Sequence, residues 1–447
     1  MKILDFIPRI EDRSLQIGVI GLGYVGFSLA SMMAKQGFQV LAVDIDEKRV
    51  DAVNKGGLPI GGEEPGMIEL VAAVTKSGKL RASTDYQVLN SIDVVVICVD
   101  TPVDPLSHYP TYRALNGALT SLGQVMMNRS DDLLVIVEST IAPGTMTSVV
   151  MATLKQIVGN AVGHLLFGHC PERVTPGKLL HNLVHVSRTV GGQTPEIVDV
   201  MKKLYGTFVC ADLDGCDLLT AEIVKTAENA YRDVQIAFAN ELAMICENLG
   251  ADVYSVREFV NKSPGRSVHM PGAGVGGHCI PKDPWLLIAN VREHYEANLI
   301  QAARAVNNHM PYHMVTLVER ALAANGIELS AARIGVLGYA FREDTDDDRD
   351  SPTTYFVDEL QRRGAVPIIH DPYVRAYQRP LKEVVQGAHA LVLMAGHSVY
   401  RNLDWDDIRQ HMVQPILVDG RHYFDPYEIT RHGFQYYGVG YRDNRLK

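Results

Sequence analysis

The sequence predicts an α/β protein with two Rossmann-like doubly wound domains joined by a long central helix. Residues 16–45 read as an apolar strand, a glycine turn, a helical stretch and a second apolar strand, which together form one βαβ unit. Strand-like runs follow in "DVVVICVDTP" and "DLLVIVESTIAPG", and a second series with "ARIGVLGYAF", "AVPIIHDP" and "HALVLMAG" begins after residue 330. We therefore expect a parallel sheet with helices on both faces.

The length of 447 residues also predicts several domains, because single cores stop growing at about 250–300 residues. We expect a dinucleotide-binding Rossmann domain at 1–210, a central helical domain at 211–320 and a second, smaller Rossmann-like domain at 321–447. Ser351 is a suitable N-cap and Pro352 suits the first helical turn, which predicts a helix start in the last domain.

The composition excludes several functional classes. The net charge is −10 and no Lys/Arg-rich block occurs, so we expect neither a nucleic acid nor a membrane surface as partner. No apolar run reaches the roughly 18 residues of a membrane span. The first fifteen residues lack the apolar stretch of a signal peptide, so we expect a cytoplasmic protein. The six cysteines form no C-x-x-C pair and are expected to be thiols.

A dinucleotide site is predicted at "GLGYVG", directly after the first strand. Gly21 permits the tight turn, Gly23 lets a pyrophosphate approach the backbone, and Gly26 permits close packing of helix on strand. Asp44 ends the next strand, where a carboxylate can accept both ribose hydroxyls and would repel a 2′-phosphate. The sequence therefore predicts NAD rather than NADP. A glycine turn without a ligand is the alternative.

The long central helix is predicted from residues 217–248, which contain neither glycine nor proline and would span about 48 Å. Glu222, Lys225, Asn229 and Arg232 recur at spacings of three and four, so they share one face. One interpretation is a solvated face with a Glu222–Lys225 salt bridge. The other is a row of polar groups that faces an anionic or oxyanion-forming ligand.

Metal sites are not expected. His181 and His185 stand four residues apart, but "HNLVH" lacks the metalloprotease glutamate and no third ligand is evident. The acidic run "EDTDDDRD" lacks the glycine and the bidentate glutamate of a calcium loop.

A cysteine with a chemical role is predicted in "GVGGHCIPKDP". The glycines around Cys279 supply no side chains to enclose a thiol and suggest the close approach of a ligand. Nearby cations such as His278 and Lys282 would favour the thiolate, although His278 could equally be a loop-packing residue. A thiol beside an NAD site can add to an aldehyde, after which loss of a second hydride gives a thioester that water releases as an acid.

These motifs together resemble the UDP-glucose/GDP-mannose dehydrogenase family, and within it the UDP-N-acetylhexosamine branch. The resemblance covers nearly the whole chain through "IGVIGLGYVG", "ESTIAPGT", "CPERVTPGK", "AEIVKTAENAYRDVQIAFANEL", "PGAGVGGHCIPKDPWLL", "GYAFREDTDDDRDSP" and "VDGR". It implies that 1–210 binds NAD, that 321–447 binds the UDP-sugar, that reaction occurs in the cleft between these two domains, and that the central helix forms a homodimer. It also implies a four-electron oxidation of C6 to a uronic acid for polysaccharide or glycoconjugate synthesis.

The resemblance also implies roles for matching residues. Cys279 aligns with the nucleophile, Lys225 and Asn229 with the pair that stabilises the oxyanion, and Glu172 with the residue that activates water. Asp283 and Thr140 align with residues that hold a catalytic water and assist proton removal. The implied cofactor contacts are Gly21, Gly23, Tyr24, Val25, Gly26, Asp44, Arg49, Thr101 and Thr140. The implied substrate contacts are Glu172, Arg173, Lys225, Asn229, Arg232, Arg266, Gly276 and Arg342, the last in place of the family's usual lysine.

Three alternatives stay open at this point. UDP-glucose is the second candidate substrate. A two-electron NAD-dependent dehydrogenase of the hydroxyacid type would share the Rossmann domain and a helical lysine but would not need Cys279. A non-catalytic nucleotide-sugar sensor would need neither Cys279, Lys225 nor Glu172.

Overall fold

The computed structural model describes residues 3–61 and 64–442. The chain forms two compact units. The first unit comprises the residues up to 228 together with 285–295, and the second comprises 229–284 and the residues from 296 onward. The three-domain division stays a prediction.

The first unit is built on an eight-stranded sheet. Its strands are β1 Gln16–Ile20, β2 Gln39–Val43, β3 Leu80–Ser83, β4 Val94–Ile97, β5 Leu133–Val137, β6 Leu165–His169, β7 Arg188–Gly192 and β8 Leu213–Asp217. Their order is β3-β2-β1-β4-β5-β6-β7-β8. Neighbouring strands are parallel except β6 and β7, which are antiparallel. The expected parallel sheet is therefore confirmed from β3 to β6 and reverses at its last two strands.

Alternation along the strands explains why this sheet is covered on both faces. Val94 and Val96 of β4 pack into one apolar cluster, whereas Val95 and Ile97 pack into another on the opposite face. Successive side chains of a strand point to opposite faces, so an unbroken apolar run requires two covering layers. These layers contain α1 Phe6–Glu11, α2 Tyr24–Lys35, α3 Glu47–Asn54, α4 Met67–Lys76, α5 Arg113–Met126, a π-helical turn Met146–Met151, α6 Ala152–Val158, α7 Leu179–His185 and α8 Pro195–Tyr205.

The long helix α9 runs from Leu218 to Leu249. It begins there because Asp217 accepts hydrogen bonds from the Thr220 amide (2.9 Å) and hydroxyl (2.6 Å). It ends before Gly250, whose φ of 75° is left-handed. The predicted helix is confirmed, shifted by one residue. The two units divide within it, between residues 228 and 229.

The second unit contains a five-stranded, fully parallel sheet. Its strands are β9 Arg333–Leu337, β10 Val366–His370, β11 Ala390–Leu393, β12 Ile416–Asp419 and β13 Gln435–Gly438, in the order β10-β9-β11-β12-β13. The helices after α9 are α10 Val253–Asn261, α11 Asp283–Ile288, α12 Asn298–Ala323, α13 Pro352–Arg362, α14 Leu381–Val385, α15 Trp405–His411 and α16 Pro426–Arg431. Ser351 caps α13 by accepting from the Thr353 amide, as predicted.

The fold class is therefore confirmed: two Rossmann-like sheets accompany a long central helix. None of the described helices has both the length and the apolar character needed to cross a membrane.

Candidate active site

The glycine turn after β1 has the geometry of a dinucleotide site. Gly21 has a φ of 97°, and a Cβ on it would lie 2.2 Å from the Cys98 carbonyl oxygen. A Cβ on Gly26 would lie 2.0 Å from the Gly21 oxygen. Beside Gly23, by contrast, a Cβ would meet no atom within 4 Å, so this position leaves space for a ligand. The turn is tight where helix and strand touch and open at the first turn of α2, where a pyrophosphate fits.

Asp44 lies at the end of β2 beside this turn. Its Oδ2 accepts from the Leu22 amide (2.6 Å) and its Oδ1 from the Asp46 amide (2.9 Å). Arg49 of α3 places Nη1 3.5 Å from Oδ2. Each carboxylate oxygen retains acceptor capacity, which is what ribose hydroxyls require. Tyr24 and Val25 begin α2, and the Tyr24 hydroxyl donates to the Gly61 carbonyl (3.3 Å).

The loops after β4 and β5 are joined to each other. The hydroxyl of Thr101 donates to the Thr140 carbonyl (2.5 Å), and Ser139 Oγ accepts from the Val99 amide (2.9 Å). Both loops follow the carboxyl ends of neighbouring parallel strands, where open α/β sheets bind their ligands. The structure thus brings together Thr101 and Thr140, two of the predicted cofactor contacts.

A buried charged network lies next to these loops. Arg188 donates to Glu138 Oε1, and the Tyr205 hydroxyl donates to Glu138 Oε2 (2.6 Å). Arg188 Nη1 also lies 3.7 Å from Cys170 Sγ. Burial, aided by the Glu138 charge, raises the pKa of Cys170 to about 12. This thiol is therefore an unreactive core group, unlike Cys279, which is exposed.

Glu172 and Arg173 follow β6. Glu172 Oε2 accepts from the Val174 amide (2.5 Å), and the Glu172 amide donates to the Glu138 carbonyl (3.4 Å). Arg173 is held by Glu228 Oε2 (2.9 Å) and by the Ser187 carbonyl (2.9 Å). Glu172 is half-buried and its second oxygen retains acceptor capacity, whereas Arg173 is engaged in an ion pair.

Two members of the polar row on α9 are buried. Glu222 is 1% exposed and Lys225 is 6% exposed. The two are not paired: Glu222 accepts from the Gly144 and Met146 amides at 2.7 Å each. Lys225 makes no hydrogen bond or ion pair to any described residue of the first unit. The solvated-face interpretation and its Glu222–Lys225 salt bridge are therefore wrong for these two residues, whereas Asn229 is half-buried and Arg232 is exposed.

In the second unit, Asn229, Asp283 and Cys279 come together. Asn229 Nδ2 donates to Asp283 Oδ2 (2.5 Å), and the Asp283 amide donates to the Cys279 carbonyl (2.9 Å). Lys282 Nζ lies 2.8 Å from Asp283 Oδ1 without hydrogen-bond geometry, so the Asp283 carboxylate compensates the ammonium charge. Asp283 is 1% exposed, whereas Cys279 is exposed. The nucleophile candidate therefore lies beside a buried carboxylate with an amide partner.

The glycines before Cys279 pack against loops of the second sheet. A Cβ on Gly276 would lie 2.6 Å from Phe341 Cβ, and the Gly277 amide donates to the Arg349 carbonyl (3.0 Å). Arg421 Nη1 donates to the Gly274 carbonyl (3.3 Å) and its Nε to the Met394 carbonyl (2.8 Å). The Cys279 loop is thus attached to the carboxyl edge of β9, β11 and β12.

The remaining predicted substrate contacts are arginines in the second unit. Arg232 of α9 is exposed, and Arg266 donates to the Pro264 carbonyl (2.8 Å). Arg342 is exposed and directly follows Phe341, the side chain that packs on the glycine loop. Their contacts with a sugar nucleotide stay predictions.

Sequence reasoning missed Glu222 as a group that binds backbone amides, and it missed Arg421. The signal for Arg421 was present, since "VDGR" places a cation directly after a strand end. No signal in the sequence shows which loop Glu222 reaches. No group of three or more His, Cys, Asp or Glu side chains within residues 3–61 and 64–442 is arranged to hold a metal ion.

Comparison with known proteins assigns the family. The UDP-glucose/GDP-mannose dehydrogenase family matches in three parts: its NAD binding domain at residues 15–209, its central domain at 219–309 and its UDP binding domain at 335–426. A UDP-N-acetyl-D-mannosamine dehydrogenase of Pyrococcus horikoshii is 36% identical over 430 residues, which are 96% of this chain and 100% of the relative.

Two solved structures are similar along almost their whole length. The UDP-D-ManNAc dehydrogenase structure from Pyrococcus horikoshii has a TM-score of 0.88 at 36% identity and covers 95% of this chain and 99% of its own. The NDP-N-acetyl-D-galactosaminuronic acid dehydrogenase from Methanosarcina mazei Go1 has a TM-score of 0.86 at 34% identity. It covers 99% of this chain and 98% of its own. The chain therefore belongs to the UDP-glucose/GDP-mannose dehydrogenase family and is an NAD-dependent nucleotide-sugar dehydrogenase.

Proposed function

We propose that this enzyme oxidises C6 of a UDP-N-acetylhexosamine through an aldehyde to the UDP-N-acetylhexosaminuronic acid. The observation that carries the proposal is the exposed Cys279 beside the hydrogen-bonded pair of Asn229 and the buried Asp283. A two-electron dehydrogenase has no use for a thiol in this position, whereas retention of an aldehyde requires a nucleophile.

The overall reaction balances as a four-electron oxidation. Two NAD⁺ molecules each accept one hydride, so that R–CH₂OH, two NAD⁺ and one water give R–COO⁻, two NADH and three protons. The Cys279 thiolate adds to the aldehyde carbon and the oxygen takes a proton, which gives a thiohemiacetal. Loss of the second hydride from carbon and of the proton from the hydroxyl gives the thioester. Water then attacks, the C–S bond breaks and the thiolate is regenerated.

The protein groups have separate tasks in this scheme. Lys225 and the Asn229 amide stabilise negative charge on the C6 oxygen, which is the task best served by preorganised donors in a dry site. Asp283 and Thr140 hold a water that removes the alcohol proton, and Glu172 activates the water that hydrolyses the thioester. Because Asn229 already donates to Asp283, the proton acceptor and the oxyanion donor are fixed relative to each other.

The N-acetylhexosamine is proposed because relatives of 33–36% identity carry N-acetylated sugars in their names, mannosamine in one case and galactosaminuronic acid in another. Glu172, Arg173, Arg232, Arg266, Gly276 and Arg342 are the proposed contacts with the sugar nucleotide. The acid formed suits polysaccharide or glycoconjugate synthesis.

Product stoichiometry tests this proposal. We expect two NADH per acid from one of UDP-N-acetylmannosamine, UDP-N-acetylglucosamine and UDP-N-acetylgalactosamine, and slower turnover of UDP-glucose. Cys279→Ala should lose acid formation, because no thioester can form. Cys210→Ala, at another exposed cysteine, is the matched control and should keep full activity. One NADH per turnover in the wild type, or full acid formation by Cys279→Ala, would overturn the proposal.

We also propose that the protein is a homodimer joined through α9. Six large apolar side chains are exposed on this helix at spacings that keep them on one broad face: Leu219, Ile223, Tyr231, Phe238, Ile245 and Leu249. Phe238 is 56% exposed, and several large apolar side chains exposed on one face support an association site there.

Sedimentation velocity tests the dimer. Phe238→Glu should shift the protein from dimer to monomer, whereas Val413→Glu, at an exposed apolar residue outside α9, should leave the dimer intact. A wild type that is monomeric at micromolar concentration contradicts the proposal.

A further inference from the structure

The loop between β5 and the π-helical turn carries Thr140 and is anchored at several points. Tyr112 OH lies 2.7 Å from Thr145 Oγ1, and Asn290 Nδ2 donates to the Pro143 carbonyl (2.7 Å). These two neutral contacts and the hydrogen bond from Thr101 to Thr140 connect the loop to three separate segments of the first unit.

Glu222 is the charged anchor of the same loop. Its Oε2 accepts from the Gly144 amide and its Oε1 from the Met146 amide, both at 2.7 Å. It stands on α9 three residues before Lys225, so the two side chains lie on the same helical face. A single carboxylate therefore connects the helix that carries Lys225 with the loop that carries Thr140.

We propose that Glu222 is a positioning residue that fixes the Thr140 loop relative to Lys225 through its two charge-assisted bonds to Gly144 and Met146. The inference rests on the proposed roles of Thr140 and Lys225. Amides held by a carboxylate at both of its oxygens constrain direction as well as distance, and a displacement of about 1 Å in a catalytic group can cost about 100-fold in rate.

This anchor depends on the charge of Glu222. A carboxylate accepts strongly at both oxygens, whereas the neutral acid keeps one carbonyl oxygen and converts the other to a hydroxyl. Burial raises the pKa of Glu222 to about 7, while the amides of Met146, Gly144 and Thr145 partly oppose that rise. A local opening that removes these amides while Glu222 stays buried would raise the pKa further, so the anchor should weaken against this local opening as the pH falls through neutrality.

The titratable groups around Glu222 are few. Asp217, at the start of α9, raises its pKa further, and Tyr112 is the titratable side chain beside the anchored loop. Lys225 shares its helix face without an ion pair to Glu222. Residues 141–151, which form the rest of the loop and the π-helical turn, include no titratable side chain. A transition in this loop near pH 7 is therefore assigned to Glu222.

Hydrogen–deuterium exchange tests the anchor without substrate or cofactor. In the wild type, protection of the Gly144 and Met146 amides, corrected for the intrinsic pH dependence of exchange, should rise about 10-fold between pH 6 and pH 8. In Glu222→Gln the protection should be low and independent of pH. Glu69→Gln, at an exposed glutamate on α4, is the matched control and should behave as the wild type.

Steady-state kinetics separate positioning from general stability. Glu222→Gln should lower kcat at pH 8 by about 10- to 100-fold and change KM for the sugar nucleotide less than threefold. Glu222→Asp keeps the charge and should retain a pH-dependent kcat at a reduced level. If Glu222→Gln does not fold, the wild-type exchange profile decides.

Protection that is flat from pH 6 to 8 in the wild type, or wild-type kcat in Glu222→Gln, would overturn the inference. Failure of the thioester mechanism would appear instead as one NADH per turnover, with the exchange profile unaffected. The two failures are therefore distinguishable.

Discussion

The two sheets place an aspartate at the same position and use it differently. Asp44 follows β2 in the first unit and Asp371 follows β10 in the second. Each accepts from backbone amides just after the first strand of its sheet in chain order, β1 or β9: Leu22 in one case, Tyr339 and Ala340 in the other. In a Rossmann fold this is the position of the acid that binds ribose.

The environments of the two carboxylates differ. Asp371 accepts five hydrogen bonds, from the amides of Tyr339, Ala340, Tyr373 and Val374 and from His397 Nε2 at 3.0 Å. Asp44 accepts from two amides, with the Arg49 guanidinium nearby and open space at Gly23.

The segments after β1 and β9 differ as well. In the first unit α2 begins at Tyr24 after a short glycine turn, whereas in the second unit residues 338–351 precede α13. One sheet position can therefore serve either a ligand or a long loop, depending on how many acceptor sites of its aspartate are occupied by backbone amides.

The largest expected effect comes from removal of the Asp371 carboxylate, which accepts five hydrogen bonds. Asp371→Ala leaves four amides and His397 without their acceptor and should destabilise the second unit by about 3–5 kcal/mol. Urea unfolding can be followed through Trp405 in a Trp285→Phe background, since the chain has two tryptophans. Asp358→Ala, on the exposed side of α13, is the control. If Asp371→Ala and Asp358→Ala had the same urea-unfolding midpoint, the structural role of Asp371 would be contradicted.

The two units should also respond to pH in opposite directions. Burial raises the pKa of Glu222 from 4.5 to about 7, so its contribution to stability against complete unfolding, which exposes the carboxyl, is complete below about pH 4.5 and is lost as the pH rises through 7. The local opening of the Thr140 loop has the opposite pH dependence, because Glu222 stays buried in it. For Asp371, burial is outweighed by the His397 bond and the amides, which hold its pKa well below 3.8. That contribution is present above about pH 4 and is lost in acid.

Calorimetry between pH 5 and 8.5 checks the first half of this prediction. Glu222→Gln should remove a decline of about 1–3 kcal/mol in the stability of the first unit. Glu69→Gln should retain it. An identical pH slope in wild type and Glu222→Gln would show that this carboxylate does not titrate in that window.

The smallest expected effect concerns ligand choice at Asp44. Asp44→Ala should weaken NAD binding about 10- to 30-fold, because two ribose hydroxyls lose a charged acceptor. It should weaken NADP binding less, since Arg49 is then available to a 2′-phosphate. Fluorescence titration measures both constants, with Asp51→Ala on α3 as the control. Unchanged preference for NAD would show that Asp44, like Asp371, serves mainly to bind backbone amides.

Local signals in the sequence predicted much of this fold. The glycine turn, the bounds of α9 and the Ser351 cap depend on φ angles and on side-chain bonds to amides within a few residues, which a single segment determines. The reversal at β7 was not predictable, because "SRTVGG" has the same strand pattern in either direction.

The candidate site was predictable in its residue types but not in its contacts. Periodicity placed Glu222 and Lys225 on one face of α9 but not on the buried side, because a period does not state which face is covered. The pairing of Asn229 with Asp283 and of Phe341 with Gly276 joins residues more than fifty positions apart. Such pairs follow from tertiary packing and have no local signal.

The order of the chain segments limits how the two units can be exchanged between related genes. Residues 285–295 belong to the first unit although they follow 229–284 of the second, and Trp285 stacks on His108 with ring centroids 4.1 Å apart. A recombination event between related genes inside 229–284 would therefore combine Trp285 from one parent with His108 from the other. Exchange of whole units by a single crossover is disfavoured, and the two Rossmann-like halves are expected to have been inherited together.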